Sequence, residues 1–446
     1  MVVKAERLGS ELIDAIFERA REKLSSDDAA QFESFLRQYY RWVPPEDIAR
    51  RSEEELYGAA LAHWKLARRR RAGETNLRVL NPSHDEDGWQ SPRTVVQIVS
   101  DDMPFVVDSV TMELGREGHS IDLVIHPVIL VRRDEGGRLI EVLEPEAEAA
   151  DAVPESVLQA EVVREPGSER LEELRAAVER VLNEVRAAVE DWKRMRDRML
   201  ELAKSLESAP DPDRAPEIGE AAAFLKWVAD DHFTFLAYRE YDLVSEDDGE
   251  GVRPIEDSAL GVLRLRGSTS FKALRPKALT LARSPHPLIL TKANSRATVH
   301  RPAYLDYIGI KRFDDEGKVI GECRFLGLYT SAAYRASPRD IPLLRGKVQA
   351  VLDRAAFPHA SHDEKALIEI LETYPRDSLL QMDQDELFEI AIGLLGLGER
   401  PWVRLFVWRD PLDRFALDRD RRIGPDVRFR GDGGEGVGCG PRDLRQ

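Results

Sequence analysis

Three carboxylates crowd one junction of this chain of 446 residues. Asp101, Asp102 and Asp108 lie in the run Asp101-Asp102-Met103-Pro104-Phe105-Val106-Val107-Asp108-Ser109. Before it, Thr94 to Val99 is a β-branched run that reads as a buried strand. After it, Phe105, Val106, Ser109, Val110 and Leu114 recur at helical spacing, Pro104 suits the first helical position, and Gly118 ends the pattern. The first N–H groups of a helix have no partner within it and can hold a carboxylate, while a neighbouring Asp can take an ammonium. An amino acid carries both groups. Asp101, Asp102, Met103, Pro104, Phe105, Asp108 and Ser109 therefore form a candidate effector site. The competing reading is plain helix capping by Asp101 or Asp102.

The other constellations carry less chemistry. His359 and His362 stand beside Asp363 and Glu364, and two histidines with a carboxylate could hold a metal. Pro358 makes this a helix entrance, so Ser361 or His362 reads as a cap region, and no metal site is assigned. Gly431, Gly433 and Gly436 match G-x-G-x-x-G but lack the strand before and the helix after that a pyrophosphate site needs. Gly393, Gly396 and Gly398 fit a helix C-terminus, and Gly346-Lys347 has no glycine-rich loop ahead of it. The histidines are scattered and no Ser-His-Asp set can be nominated. No catalytic or cofactor-binding residue is expected. Arg68 to Arg71 close a helix, either as a solvated end facing its dipole or as a phosphate site.

Acidic residues outnumber basic ones by 82 to 65, a formal net charge of -17, which argues against general nucleic-acid binding. Cys323 and Cys439 are the two cysteines, too few for a disulfide framework or a cysteine zinc site, and a cytoplasmic protein is expected. Residues 1–23 alternate in charge, unlike a signal peptide, and the apolar stretch Ile121 to Val131 is broken by His126 and Pro127, so no membrane span is expected.

These residues sit in an α+β, multi-domain chain. Residues 1–72 read as N-terminal helices, with a capping box at Ser52 and Glu55. Over 90–166 come a strand, a helix, a long strand from Ser120 to Arg132, a turn at Glu135-Gly136-Gly137 and a return strand. A further strand at Val157 to Val163 completes the start of a ferredoxin-like sandwich. Residues 168–209 contain one long helix without Gly or Pro, whose apolar residues from Leu171 to Leu206 recur at spacings of three and four. Such a heptad seam can dimerise or pack inside the chain. Residues 217–357 read as a helix and a mostly antiparallel sheet, with strands at Phe233 to Tyr238, Gly261 to Leu265, Pro287 to Leu290, Tyr307 to Arg312 and Glu322 to Thr330. A hairpin turn falls at Asp314 to Gly317. Residues 358–400 form a helical connector, and 401–423 open a new unit with a strand at Val403 to Val407. From Gly424 to Gly440 there are seven glycines and almost no apolar periodicity, so 424–446 read as a disordered or out-of-frame tail behind a truncated unit.

The run Asp101 to Val110 resembles the N-terminal part of the large bacterial NAD-specific glutamate dehydrogenases. Phe233 to Tyr241, Thr291 to Ser295, Val299 to Tyr304, Phe325 to Ser331, Glu372 to Asp377 and Val403 to Val407 extend the resemblance collinearly. The resemblance implies an ACT-type unit over 90–166, a PAS-like unit over 217–357 and the start of a second ACT-type unit at 401–423. ACT folds bind amino acids where a strand meets a helix, often at subunit interfaces. The family oxidatively deaminates L-glutamate to 2-oxoglutarate and ammonia with NAD, through a nicotinamide-binding fold and a substrate lysine that this chain does not match. The expectation is thus a regulatory fragment that binds no NAD, is inactive alone and takes an amino-acid effector. It would self-associate or join the rest of a large dehydrogenase subunit, with no nucleic acid and no membrane as partner. The alternative is a non-catalytic oligomerisation scaffold without a small-molecule ligand.

Overall fold

A computed structural model describes residues 2–208, 214–247, 249–267 and 270–397, with side chains from residue 7 onward. The expected strand at Val403 to Val407, the truncated unit at 401–423 and the tail at 424–446 lie outside the described residues. The chain divides into two compact units, one of residues 1–191 with 297–303 and one of residues 192–296 with 304 onward.

The first unit begins with helices α1 (Val2–Lys23), α2 (Ser26–Tyr39), α3 (Pro45–Ile48) and α4 (Glu53–Ala67). Local chemistry sets their ends. Ser25 caps α2 by accepting from the Asp28 N–H. At α4 the capping box forms: Ser52 Oγ accepts from Glu55 N at 3.2 Å, and Glu55 Oε2 from Ser52 N at 3.0 Å. There follow β1 (Asn76–Leu80), α5 (His84–Asp87), β2 (Arg93–Asp101), α6 (Val106–Arg116), β3 (Ile121–Ile125), β4 (Val128–Arg133), β5 (Leu139–Val142), β6 (Val153–Val163) and α7 (Ser168–Glu207). The sheet runs in the order β1-β2-β6-β4-β5, with β3 also paired to β6. The single long strand expected from Ser120 to Arg132 is two strands. Proline lacks an N–H, so the ladder breaks at Pro127, whose carbonyl accepts from Val157 N at 3.0 Å. Phe32, Phe35, Tyr39, Leu56 and Trp64 of the early helices share one apolar core with Val99, Ile125, Ile129 and Val157 of the sheet.

Helix α7 spans 40 residues. Leu174, Val178, Val181, Val185, Met195 and Met199 are all buried within the chain, and Trp192 of the same stripe is 40% exposed. The apolar seam is therefore largely covered already, and self-association through it would require uncovering it.

The second unit continues from α7 with α8 (Ala215–Trp227), a π turn at Val228–His232, β7 (Phe233–Glu246), β8 (Gly249–Pro254), β9 (Leu260–Gly261), β10 (Lys272–Ala273), α9 (Pro276–Arg283), β11 (Leu288–Arg296), β12 (Tyr304–Phe313), β13 (Val319–Tyr329), α10 (Ser331–Arg335), α11 (Leu344–Ala355), α12 (His362–Thr373), α13 (Arg376–Gln381) and α14 (Gln384–Leu395). Its antiparallel sheet has the order β10-β8-β7-β13-β12-β11, with β9 on β7. The strand expected over Gly261 to Leu265 stops at Gly261. There φ is +61° and a Cβ would lie 2.2 Å from Leu236 O, so the chain turns away into a 3-10 turn at Val262–Leu265. Helices α8, α11, α12 and α14 place Phe224, Val348, Leu367 and Leu387 in one core with Phe235, Ile308 and Phe325 of the sheet. Among the described residues no helix is long and apolar enough to cross a membrane.

Candidate functional site

The junction between β2 and α6 is not built by carboxylate capping. Helix α6 starts at Val106, and its N-cap is Phe105, at φ +73° with no side-chain cap. Capping by Asp101 or Asp102 is thus corrected, and Pro104 lies outside the helix. The reason is geometric: Met103, Pro104 and the left-handed Phe105 carry the chain away from the strand end before helical dihedrals begin.

Asp101 turns instead into an ion cluster. Its Oδ1 accepts from Arg70 Nη1 at 2.8 Å, and its Oδ2 from Arg186 Nη1 at 2.7 Å and from Gly73 N at 3.0 Å. Partial burial alone would raise its pKa, but Arg186 and Arg70 hold the carboxyl below the usual range. Arg70 also donates to Glu155 Oε1 from Nη2 at 2.7 Å, and Arg133 grips both oxygens of Glu155 at 2.6 Å. Arg70 and Glu155 are each 1% exposed. Within the arginine run at 68–71, Arg69 and Arg71 are exposed as a solvated helix end would have them, but Arg70 is not. Arg70 is buried and its guanidinium is spent on Glu155, Asp101 and the carbonyls of Arg71 and Glu74. Its neighbour Arg68 pairs with Asp28 at 3.1 Å. A phosphate finds no unspent guanidinium at Arg70.

The rest of the candidate site lies around the first turn of α6. The segment 297–303, which joins β11 to β12, belongs to this unit. His300 of that segment donates its backbone N–H to Ser109 Oγ at 3.0 Å. Its imidazole centroid is 4.8 Å from that of Phe105, and its Nδ1 is 3.7 Å from Asp108 Oδ2. His300 holds φ at +77°, a conformation that a non-glycine residue adopts at a cost. The structure thus brings Phe105, Asp108 and Ser109 together with His300, and sets Asp101 apart in the ion cluster. Asp102 and Pro104 are exposed and Met103 is half-buried. Near the loop, His126 Nε2 lies 3.0 Å from Ser156 Oγ, and burial lowers this imidazole's pKa.

Arg186 and His300 escaped the reading of isolated motifs, and Arg70 entered it only as one of the run Arg68 to Arg71. A signal for His300 existed, since it stands in the run Val299 to Tyr304 that carries part of the family resemblance. What the junction offers is specific: a helix start with no side-chain cap, flanked by the exposed carboxylates Asp102 and Asp108. That set can receive a carboxylate and an ammonium held on one carbon. The histidine cluster resolves as a cap, with Ser361 Oγ accepting from Glu364 N at 3.1 Å. Among the described residues no group of three or more His, Cys, Asp or Glu is placed to hold a metal ion.

The fold class is a mixed helix-and-sheet protein with an ACT-like domain. The sequence matches the profile of the glutamate dehydrogenase ACT1 domain over residues 35–178, which takes in all of β1 to β6 and α6. It also matches that of glutamate dehydrogenase helical motif 1 over residues 341–400. The chain is 38% identical over 427 residues to the NAD-specific glutamate dehydrogenase of Halomonas elongata, covering 93% of this chain and 26% of that protein. Against the NAD-specific glutamate dehydrogenase of Pseudomonas aeruginosa it is 38% identical over 385 residues, covering 86% and 24%. With that of Mycobacterium tuberculosis it shares 28% over 368 residues, covering 81% and 21%. The chain spans about a quarter of the length of the curated relatives it matches. It is related to the N-terminal region of the NAD-specific glutamate dehydrogenases.

Proposed function

We propose that this chain is the regulatory N-terminal region of a cytoplasmic NAD-dependent glutamate dehydrogenase, an enzyme that oxidatively deaminates L-glutamate to 2-oxoglutarate and ammonia. In this reading the chain holds no NAD and transfers no hydride. It binds an amino-acid effector at the start of α6 and takes part in assembly of the subunit. The second unit is read as PAS-like, on the strength of its antiparallel sheet and flanking helices. The observation that carries the reading is the α6 start itself, without a side-chain cap and set between Asp102 and Asp108 inside the ACT1 match. The effector's carboxylate meets the first-turn N–H groups and its ammonium meets Asp102 or Asp108. Asp101 serves the site indirectly, by fixing the end of β2 against Arg70 and Arg186. An effector that favours one arrangement of the assembled protein changes its activity by a coupling of about 1–3 kcal/mol.

The test is calorimetry of the whole chain against a panel of amino acids, with Asp102→Asn and Asp108→Asn as variants. Loss of a charge-assisted hydrogen bond costs about 1.5–3 kcal/mol, so at least one variant should bind its effector about tenfold more weakly or worse. Unchanged affinity in both variants refutes the site. A panel that neither releases heat nor raises the melting temperature refutes effector binding. NADH formation from glutamate by the pure chain refutes the non-catalytic assignment.

A further inference from the structure

The second unit carries an open-mouthed cavity of about 540 Å3, within the range of small-molecule sites. Its lining comes from β8, β10, α9, β11, β12 and β13, all in that unit. Two features make it a built site. One is mechanical: α9 forms one wall, and its last carbonyls are pinned by the buried Lys311. The Lys311 ammonium donates to Leu281 O at 2.7 Å and to Ala282 O at 2.5 Å. A cation at a helix C-terminus is favourably placed, so this wall is held by charge as well as by packing.

The other feature is electrostatic. The chain carries a net charge of -17. Yet five cationic residues line the cavity, Lys272, Arg275, Lys277, Lys292 and Arg324, against the single carboxylate of Glu322. Lys292 is neutralised by Asp306 at 2.5 Å and Asp377 at 3.1 Å. Arg324 is different. Its Nε donates to Tyr307 Oη at 2.9 Å, and its guanidinium lies 4.0 Å from the centroid of the Tyr241 ring and 5.0 Å from that of Tyr307. The rings hold the guanidinium plane in place. Tyr307 in turn donates its hydroxyl hydrogen to Glu322, whose carboxylate is 3.8 Å from Arg324 Nε. Among the described residues the Arg324 Nη groups make no hydrogen bond, and they are the fork that matches a carboxylate.

We propose that this cavity binds an organic monocarboxylate with an apolar body. The carboxylate pairs with the Arg324 fork. The body lies on Val252, Leu274, Ile289 and Leu326. Lys272 and Lys277, both exposed, draw the anion in from the rim. Glu322 in the same lining sets the charge of the ligand: it already offsets part of the Arg324 charge, so one ligand carboxylate shares the guanidinium with it through the Nη fork, while a second negative charge would meet the Glu322 carboxylate. The site is independent of the α6 junction and does not rest on the reading of that junction.

The test uses titration calorimetry of the whole chain with four probes. Octanoate supplies charge and body, acetate the charge alone, 1-octanol the body alone, and octyl phosphate a head that carries close to two charges. Saturable one-to-one binding of octanoate is expected, with each other probe about tenfold weaker or worse. Arg324→Gln should lose a comparable factor. The double reversal Lys272→Glu with Lys277→Glu alters only exposed side chains, so it folds even where Arg324→Gln does not. It should weaken octanoate several-fold and flatten the salt dependence of binding. The proposal is overturned by absent or non-saturable octanoate binding, by 1-octanol binding as tightly as octanoate, or by octyl phosphate binding as tightly or better. Unchanged octanoate affinity in either folded variant also overturns it.

Discussion

Acidification from pH 7 to pH 5 should loosen the first sheet, and His63 carries the larger share of it, beside a smaller contribution of the same sign from His126. His63 is fully buried on α4. Its Nε2 is 3.1 Å from Ile98 O, a carbonyl that can only accept, so the neutral ring carries its proton on Nε2. Its Nδ1 is then an acceptor for Tyr39 Oη at 3.0 Å. The same hydroxyl lies 2.9 Å from Gln159 Oε1 and has one hydrogen for two acceptors. Burial pushes the imidazole down from its ordinary 6.5 to about 3, partly offset by the Ile98 carbonyl. Between those values the unfolded state binds the extra proton and the folded state does not, so stability falls as the pH drops below about 6.5. For a pKa of 6.5 unfolded and about 3 folded, the loss between pH 7 and pH 5 is about 2 kcal/mol. Amide exchange of a peptide spanning Arg93–Asp101, corrected for the intrinsic pH dependence of exchange, reads this directly. Protection should fall about 30-fold, and His63→Gln should remove most of that difference. The opposite result is well defined. A charged ring would donate from both nitrogens, to Ile98 O and Tyr39 Oη, and free the tyrosine hydrogen for Gln159. Protection that is unchanged or greater at pH 5 would mean that this hydrogen-bond gain outweighs burial, and the reasoning fails.

Arg70→Met should destabilise the first unit by about 3 kcal/mol, the lower end for breaking a buried ion pair, because Glu155 keeps Arg133 and Asp101 keeps Arg186. Amide exchange in β2 and β6 measures it, and a loss below about 1 kcal/mol would show that the cluster tolerates the gap. Gly137→Ala should cost about 1–3 kcal/mol in the same assay. The residue holds φ at +80° and an added Cβ would sit 2.6 Å from Arg70 O. Wild-type protection in that variant would refute the close approach.

Where a local rule decides, the sequence was a sufficient guide. Ser52 and Glu55 form their box because both partners lie within one turn. The Asp314 hairpin forms because its Oδ1 accepts from Glu316 N and Lys318 N while Gly317 takes φ +79°. The strand at Thr94 to Val99 and the long helix of residues 168–207 follow from β-branching and from an unbroken apolar stripe. The failures are also local rules, outvoted. The residues from Ser120 to Arg132 are strand-forming, but Pro127 cannot donate, and β6 pairs with the two halves separately. Val262 to Leu265 is an apolar-rich, strand-like run, yet the chain has already turned at Gly261, where a Cβ would meet Leu236 O.

The candidate sites obey a harsher logic, because a site is set by residues distant in sequence. Asp101 and Asp102 are adjacent and chemically identical, and nothing local separates them. What separates them is Arg70, 31 residues upstream, which recruits one and leaves the other to solvent. A run of four arginines reads as a solvated patch until a buried carboxylate is found for one of them, and Glu155 is 85 residues from Arg70. Pairing strength therefore decides which member of a repetitive motif is structural and which is available for binding. The cavity of the second unit shows the same rule from the other side. Lys292 and Arg324 both line it, but Asp306 and Asp377 hold the lysine at hydrogen-bond distance, while Arg324 lies against two tyrosine rings with Glu322 3.8 Å from its Nε and its Nη groups without a hydrogen bond among the described residues. A cation whose hydrogen-bond donors are left over after its neighbours have oriented it can still bind an anion, and in this lining Arg324 keeps its Nη fork for that purpose.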